Sequence, residues 1–220
     1  MLIFDKAQKS FKTKESRKIV LHETTCSIPS KMRIGVLGMN GSGKTTLLRL
    51  ISGSEPLDHG TIYTNGRVSF PVGFAGTFHS DLSGAENIEF LANIYGMDAS
   101  ETMRWIADFT ELGEYLYMPV KTYSSGMFAR LVFAASFSID FDYYLVDEAI
   151  ETGDARFRAK CAAAFNARLD DATLILVSQN MHTIRTFCNS GAVLHNGHLR
   201  FFEDLEEAFA VYETLLLRKL

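Results

Sequence analysis

A glycine-rich run, Gly38-Met39-Asn40-Gly41-Ser42-Gly43-Lys44-Thr45-Thr46, carries the strongest chemical signal in the sequence. Glycines let a backbone bend around an anion so that consecutive N–H groups point inward, and a following helix adds the positive end of its dipole. Lys44 can reach β- and γ-phosphates, and Thr45 can bind Mg²⁺. The run predicts a loop that binds a nucleoside triphosphate, with contacts from Gly38, Asn40, Gly41, Ser42, Gly43, Lys44, Thr45 and Thr46.

Two acidic residues supply the next part of the predicted site. The apolar stretch Tyr143 to Val146 predicts a buried strand, and Asp147 and Glu148 follow it directly. In isolation this pattern is more typical of a solvated strand end, but a phosphate-binding loop lies about a hundred residues upstream. We therefore expect Asp147 to hold Mg²⁺ and Glu148 to accept a proton from an attacking water.

The segment Tyr123-Ser124-Ser125-Gly126-Met127 predicts a helix start, because Ser124 or Ser125 can cap it and an apolar run follows. A helix N-terminus attracts anions. If this N-terminus cannot reach the phosphate-binding loop of its own chain, it suggests two chains that face each other, each capping the other's nucleotide.

Apolar strands alternate with helices around these motifs, which predicts an α/β fold with a parallel sheet covered on both faces. Residues 84–139 predict helices without strands and are interpreted as an inserted subdomain of a single domain spanning residues 1–220. The predicted strands are Leu2 to Phe4, Ile19 to Ile28, Arg33 to Leu37, Thr61 to Thr64, Arg67 to Phe70, Tyr143 to Val146, Thr173 to Val177 and a pair around Asn196-Gly197.

The composition limits the classes of protein that the chain can join. Its 220 residues are 47% hydrophobic and 22% charged, and the net charge of −4 disfavours nucleic acid as the main partner. The basic cluster Lys9, Lys12, Lys14, Arg17 and Lys18 is interpreted as a solvated loop. Three widely spaced cysteines and the lack of an apolar signal or membrane segment predict a cytoplasmic protein that reaches a membrane only through a partner.

In their order and spacing, the three motifs resemble the nucleotide-binding subunit of an ABC transporter. The resemblance covers essentially the whole chain and is closer to the ATPases of capsular polysaccharide exporters, which are related to O-antigen and teichoic acid exporter ATPases. The segments that carry the closer resemblance are residues 70–76, 118–127, 141–148 and 153–157.

This resemblance implies a P-loop NTPase (RecA-like) core with an N-terminal antiparallel β region and an inserted helical subdomain. It also implies a head-to-tail dimer that encloses two ATP molecules with Mg²⁺, closes on ATP and drives an integral membrane permease from the cytoplasmic face of the membrane. Phe11 would stack on adenine, although a strand-end core residue is an equal alternative. Asp154 would belong to a loop that communicates across the dimer. Because the chain ends at Leu220 without an additional glycan-binding domain, the capsule branch is favoured.

The sequence departs from the family pattern at two positions. Gln179 stands where the family has a catalytic histidine, and an amide cannot exchange a proton at neutral pH. Hydrolysis is therefore expected to slow by roughly tenfold. Residues 74–81 lack the usual glutamine, and His79 either contacts the nucleotide or the permease or is solvated. His182 is expected at the surface.

Three functions remain open from the sequence. The first is an ATPase that powers export of capsular or related polysaccharide. The second is a nucleotide-gated subunit in which Gln179 makes hydrolysis marginal. The third is an ABC-type ATPase outside transport, acting on nucleic acid or ribosomes.

Overall fold

The computed structural model describes residues 1–12, 16–71, 78–147, 155–169 and 171–217. They form two compact units. The first contains the described parts of Met1–Pro71, Phe141–Glu148 and Leu169–Leu220, and the second those of Val72–Asp140 and Ala149–Arg168. Over this described portion, no helix is long and apolar enough to cross a membrane.

The described elements alternate along the chain much as the sequence predicts. In chain order they are β1 (Leu2–Lys12), β2 (Arg17–Ile28), β3 (Arg33–Leu37), α1 (Lys44–Ile51), β4 (His59–Thr64), α2 (Gly84–Tyr95), α3 (Ala99–Thr110), two short 3₁₀ helices (Gly113–Tyr117 and Val120–Thr122), α4 (Ser125–Ser138), β5 (Tyr143–Asp147), α5 (Ala155–Leu169), β6 (Thr173–Val177), α6 (Met181–Phe187), β7 (Ser190–His195), β8 (His198–Phe202) and α7 (Leu205–Leu217).

An antiparallel sheet in the order β2-β1-β4 opens the first unit. Its first strand continues well beyond the predicted end at Phe4, because β1 pairs with β2 as far as Lys12 and Arg17. Lys9 and Lys18 also lie on these strands, so the interpretation of the basic cluster as a loop is wrong for these residues. The cross-strand pairing, which a local charge pattern does not reveal, sets this structure.

The second sheet of this unit has the order β5-β6-β3-β7-β8, and only β8 runs antiparallel to its neighbour. One face of β3 contributes Ile34 and Val36 to a core shared with α1. On the other face, a Cβ at Gly35 would lie 2.3 Å from Ile184 Cγ2 of α6, so this position needs glycine. Helices therefore cover β3 on both sides, as expected for a parallel sheet.

The predicted strand Arg67 to Phe70 is wrong. Only an isolated bridge joins Val68 to Tyr143, and no regular strand forms over these described residues. The Arg67 carbonyl accepts from the backbone N–H groups of Asp142 and Tyr143, but the Arg67 N–H donates to the Asp142 carboxylate at 2.7 Å instead of a backbone carbonyl.

The second unit packs helices α2, α3 and α4 with most of α5. Its core contains a set of aromatic rings, in which Phe133 stacks on Phe137 with ring centroids 4.3 Å apart. Phe157 of α5 meets Phe109 edge-on at 5.7 Å, which ties α5 to this unit. The sequence-based subdomain over residues 84–139 did not include α5.

Candidate functional site

The predicted phosphate-binding loop leads from β3 directly into α1. Gly43, which precedes the helix, has φ 105°, and a Cβ there would lie 2.4 Å from Val20 Cγ1. This backbone conformation and this space both require glycine. No described side chain caps the first turn of α1, and no acidic residue occurs in that turn. The first N–H groups of the helix can therefore donate hydrogen bonds to a bound anion.

Lys44 is held inside the loop. Its side chain is buried, and Nζ donates to the carbonyl oxygens of Gly38 at 2.7 Å and Met39 at 3.1 Å. These bonds hold an ammonium group at the start of the helix, where the helix dipole already favours negative charge. An extended lysine in this position can form charge-assisted hydrogen bonds with a phosphate.

The Ser42 hydroxyl is a further polar group of the loop, and its hydrogen-bonding capacity is unused within the described part of the chain. Its Oγ is buried and has no hydrogen-bond partner among the described residues. The Ser42 N–H donates to Met39 O at 3.0 Å, which closes the turn. A buried hydroxyl without a partner costs free energy, so this loop suits a polar ligand.

A cavity of about 600 Å³ opens beside this loop in the first unit. Its lining brings together residues that the sequence predicted from four separate segments. The predicted residues in the lining are Phe11, Asn40, Gly41, Gly43, Lys44, Thr45, Thr46, Asp147 and Gln179. Gly38 and Ser42 belong to the same loop but do not line this cavity; Ser42 lines a neighbouring one of about 290 Å³.

The register of the parallel sheet explains why Asp147 and Gln179 reach one cavity. Asp147 ends β5 and pairs with Val177, which ends β6. Parallel strands present their carboxyl ends at the same sheet edge, so residues that follow those ends lie near each other. Gln179 lies two residues beyond β6 and is exposed. Its amide can donate and accept hydrogen bonds but cannot act as a cation.

Three lining residues were not predicted: Lys18, Val20 and Val177. Lys18 Nζ donates to Gly41 O at 2.8 Å, which ties the start of β2 to the phosphate-binding loop. The alternation of side chains along β2 could have indicated which of its residues face the loop, but the basic cluster was assigned to a loop instead.

The segment Ser124 to Gly126 lies in the second unit and begins α4. Ser124 Oγ accepts a hydrogen bond from Met127 N at 3.2 Å, which confirms the predicted serine cap and selects Ser124 over Ser125. Both serines are exposed. A Cβ at Gly126 would meet only Ser124 Oγ, at 4.0 Å, so this helix end has open space around it.

Four other residues singled out in the sequence are not among the described residues that line the cavity. Glu148 and Asp154 lie outside the described residues. His79 is exposed, and its backbone N–H donates to Asn87 Oδ1 at 2.8 Å. His182 is exposed on α6, as expected.

The cavity lining fits a nucleoside triphosphate with Mg²⁺. Bare helix N–H groups, the Lys44 ammonium and the orphaned Ser42 hydroxyl suit a chain of phosphates. Thr45 and Asp147 line the same cavity, and a hydroxyl with a carboxylate is a typical oxygen donor set for Mg²⁺. Bound Mg²⁺ would neutralise charge on the phosphates.

Comparison with known proteins places this chain in a family. The model of the ABC transporter family matches residues 21–151. The chain belongs to the ABC transporter family, and the predictions of this family, of its fold class and of an ABC-type ATPase are confirmed.

Two curated relatives match over almost their whole length. The capsule polysaccharide export ATP-binding protein CtrD of Neisseria meningitidis serogroup B is 40% identical, over 98% of this chain and 100% of its own. The ATP-binding protein BexA of Haemophilus influenzae is 42% identical, over 93% of this chain and 94% of its own.

Solved structures support the fold. A dimeric structure of the ATP-binding cassette MJ0796, in a post-hydrolysis state bound to ADP and Pi, has a TM-score of 0.78. It is 17% identical and covers 91% of this chain and 98% of its own. At this identity the likeness speaks for the fold alone.

Proposed function

We propose that the chain binds and hydrolyses ATP with Mg²⁺, and that it powers export of a capsular or related cell-surface polysaccharide through a membrane permease. The single observation that carries the ATP part is the cavity that joins the phosphate-binding loop with Asp147, Gln179 and Phe11. The 40% identity to a capsule export ATP-binding protein carries the export part.

Within this proposal, the loop and Lys44 bind the triphosphate, while Thr45 and Asp147 hold Mg²⁺. Glu148 follows Asp147 and is the proposed general base, which accepts the proton of the attacking water. Gln179 hydrogen-bonds the water or the terminal phosphate through its amide. Phe11 stacks on the adenine ring. These roles place the reacting groups along the carboxyl edge of the parallel sheet, where such folds bind ligands.

The proposal includes a head-to-tail dimer. Ser124, Ser125 and Gly126 present an exposed helix N-terminus, and they would contact the nucleotide held by a second copy of the chain. Asp154 would take part in contacts between the two copies. The bacterial ABC transporter cassette MJ0796, which has a similar fold, has a dimeric structure, and this supports a dimer.

Replacing Glu148 tests the hydrolytic part. Glu148→Gln should keep ATP affinity within about twofold and slow hydrolysis by about 100-fold or more, since a general base contributes that much. It should also accumulate as an ATP-bound dimer in light scattering. Glu23→Gln, the same change at an exposed position of β2, is the matched control. A Glu148→Gln variant with wild-type turnover would remove Glu148 from the role of base.

Export is tested in cells. Removing the chain should leave the polysaccharide inside the cell and none at the surface, and the wild-type chain should restore surface polysaccharide. Lys44→Ala should not restore it. The chain should co-purify with an integral membrane permease at the cytoplasmic face of the membrane. Normal surface polysaccharide in cells without the chain would contradict export while leaving the ATPase proposal intact.

Gln179 favours a second candidate, a nucleotide-gated subunit with marginal hydrolysis. Its amide lines the cavity where a histidine could take up a positive charge. If this candidate is correct, wild-type turnover stays low even with the permease, and Gln179→His raises it by about tenfold. High turnover with the permease, unchanged by Gln179→His, supports the first candidate.

A further inference from the structure

Lys9 of β1 is a buried lysine at the end of the strand that carries Phe11. Only 7% of its side chain is exposed. Buried lysines are rare unless their charge is paired. A buried position for Lys9 therefore requires partners that pair its charge.

The ammonium group of Lys9 is held by the segment that leads into β4. Nζ lies 2.5 Å from Glu55 Oε1 and 3.8 Å from Asp58 Oδ1, and it donates to Pro56 O at 2.7 Å. Asp58 also accepts from the hydroxyl of Ser10, at 2.6 Å, and these bonds hold the pKa of Asp58 below its ordinary value. The short contacts with Glu55 and Pro56, together with the Asp58 carboxylate, hold the Lys9 ammonium group in place.

The same ammonium group lies over the ring of Phe11, 4.8 Å from its centroid. A cation at this distance from an aromatic face is attracted to it. Phe11 itself lines the cavity and is 38% exposed, so part of its ring is open to a ligand. Because Lys9 covers one face of the ring, a planar group in the cavity can stack only on the other face.

We infer that Lys9 is a positioning residue, which fixes the Phe11 ring so that its free face receives the base of the nucleotide. This inference rests on the proposed function, because it takes Phe11 as the base platform. Lys9 acts through Phe11 and makes no contact with phosphate. Its removal should therefore weaken the binding of nucleotides without affecting the binding of the phosphate chain alone.

The test compares ATP with tripolyphosphate, which has phosphates and no base. Lys9→Met should raise the Kd for ATP about threefold, the size of one cation–π contact, and leave the Kd for tripolyphosphate unchanged. Phe11→Ala should raise the Kd for ATP about tenfold. The double variant should match Phe11→Ala, since both changes remove one interaction. Lys12→Met, an exposed lysine on the same strand, is the charge-matched control.

A second variant guards against loss of the fold. Lys9→Met/Glu55→Met replaces the ion pair by two apolar side chains of similar length, which buried sites often tolerate. It should show the same selective loss for ATP. The inference is overturned if either variant weakens ATP and tripolyphosphate equally, or if neither changes the ATP affinity. It is also overturned if Phe11→Ala leaves ATP binding unchanged.

Failure of the proposed function looks different. In that case the wild-type chain itself binds neither ATP nor tripolyphosphate, or binds ATP without hydrolysing it in the presence of the permease. The Lys9 variants change neither of these wild-type measurements.

Discussion

Helices α1 and α4 begin in similar ways but differ in what satisfies their first N–H groups. Neither has an acidic residue in its first turn, a lack that α5 and α6 share, whereas the first turns of α2, α3 and α7 contain Glu86, Glu101 and Glu206. Helix α1, which follows Gly43, has no described side-chain cap, whereas Ser124 caps α4. The start of α1 is enclosed by its own loop, and the start of α4 is exposed.

Under the proposed function, this difference separates two roles in binding phosphate. The α1 end has a buried lysine, an orphaned hydroxyl and a cavity, so it can bind phosphate within one chain. The α4 end is already capped by Ser124, which satisfies the Met127 N–H without an anion. Its lack of acidic residues leaves the helix dipole uncompensated. We therefore expect α1 to govern nucleotide affinity, and α4 to matter only when a second chain supplies the phosphate.

The largest expected effect is at the α1 end. Lys44→Ala removes charge-assisted hydrogen bonds to phosphate, so ATP affinity should fall by about 100-fold and hydrolysis should be lost. Isothermal titration with ATP and a phosphate-release assay measure both. Lys31→Ala is the control, because the Lys31 side chain forms an exposed ion pair with Asp171 and its backbone hydrogen bond to Thr173 is kept in the variant. ATP binding by Lys44→Ala at wild-type affinity would contradict the role given to α1.

A negative charge added at the start of α4 should stabilise the fold and at the same time lower ATP hydrolysis. Gly126→Glu replaces glycine within a helix and adds an acid near its N-terminus, so the free energy of unfolding should rise by about 1 kcal/mol. Binding of ATP to the single chain should not change. Hydrolysis and ATP-dependent dimerisation should fall by about tenfold or more, because the new carboxylate would repel the phosphate bound by the other chain.

The matched control is Ser100→Glu, which adds the same charge at the equivalent position of α3. It should leave hydrolysis unchanged. If Gly126→Glu also hydrolyses ATP normally, α4 does not face a phosphate, and the proposed contact of Ser124 to Gly126 with the nucleotide of a second copy is wrong.

The same contrast explains what the sequence could predict. The loop around Gly43 and the cap at Ser124 are set by neighbouring residues, so local patterns identify them. Asp147 and Gln179 come together through parallel register, which strand order alone predicts. Lys18 was missed because its contact with Gly41 joins distant segments. The strand predicted at Arg67 to Phe70 failed for a similar reason, since the Asp142 carboxylate binds the Arg67 N–H in place of a backbone carbonyl. Alternation along a strand can indicate which residues share a face, but local patterns do not identify the distant partner of each residue.

The smallest expected effect is the loss of stability when the serine caps of α2 and α4 are removed. Ser83 is buried and forms a capping box with Glu86, whereas Ser124 is exposed and has no acidic partner in the first turn. Urea unfolding at neutral pH should show a loss of about 1 kcal/mol for Ser124→Ala and a larger loss for Ser83→Ala, because water can replace only the exposed cap.

Lowering the pH should reduce the difference between Ser83→Ala and Ser124→Ala in the free energy of unfolding that each variant loses. Hydrogen bonds from the backbone and hydroxyl of Ser83 lower the pKa of Glu86, so its carboxylate contributes stability above its unfolded pKa. This contribution disappears as the pH falls through the lowered folded pKa. Ser83→Ala should therefore approach Ser124→Ala in cost as the solution is acidified. A difference that stays constant with pH would show that the Glu86 carboxylate contributes nothing to the capping box, and that burial of Ser83 alone separates the two helix starts.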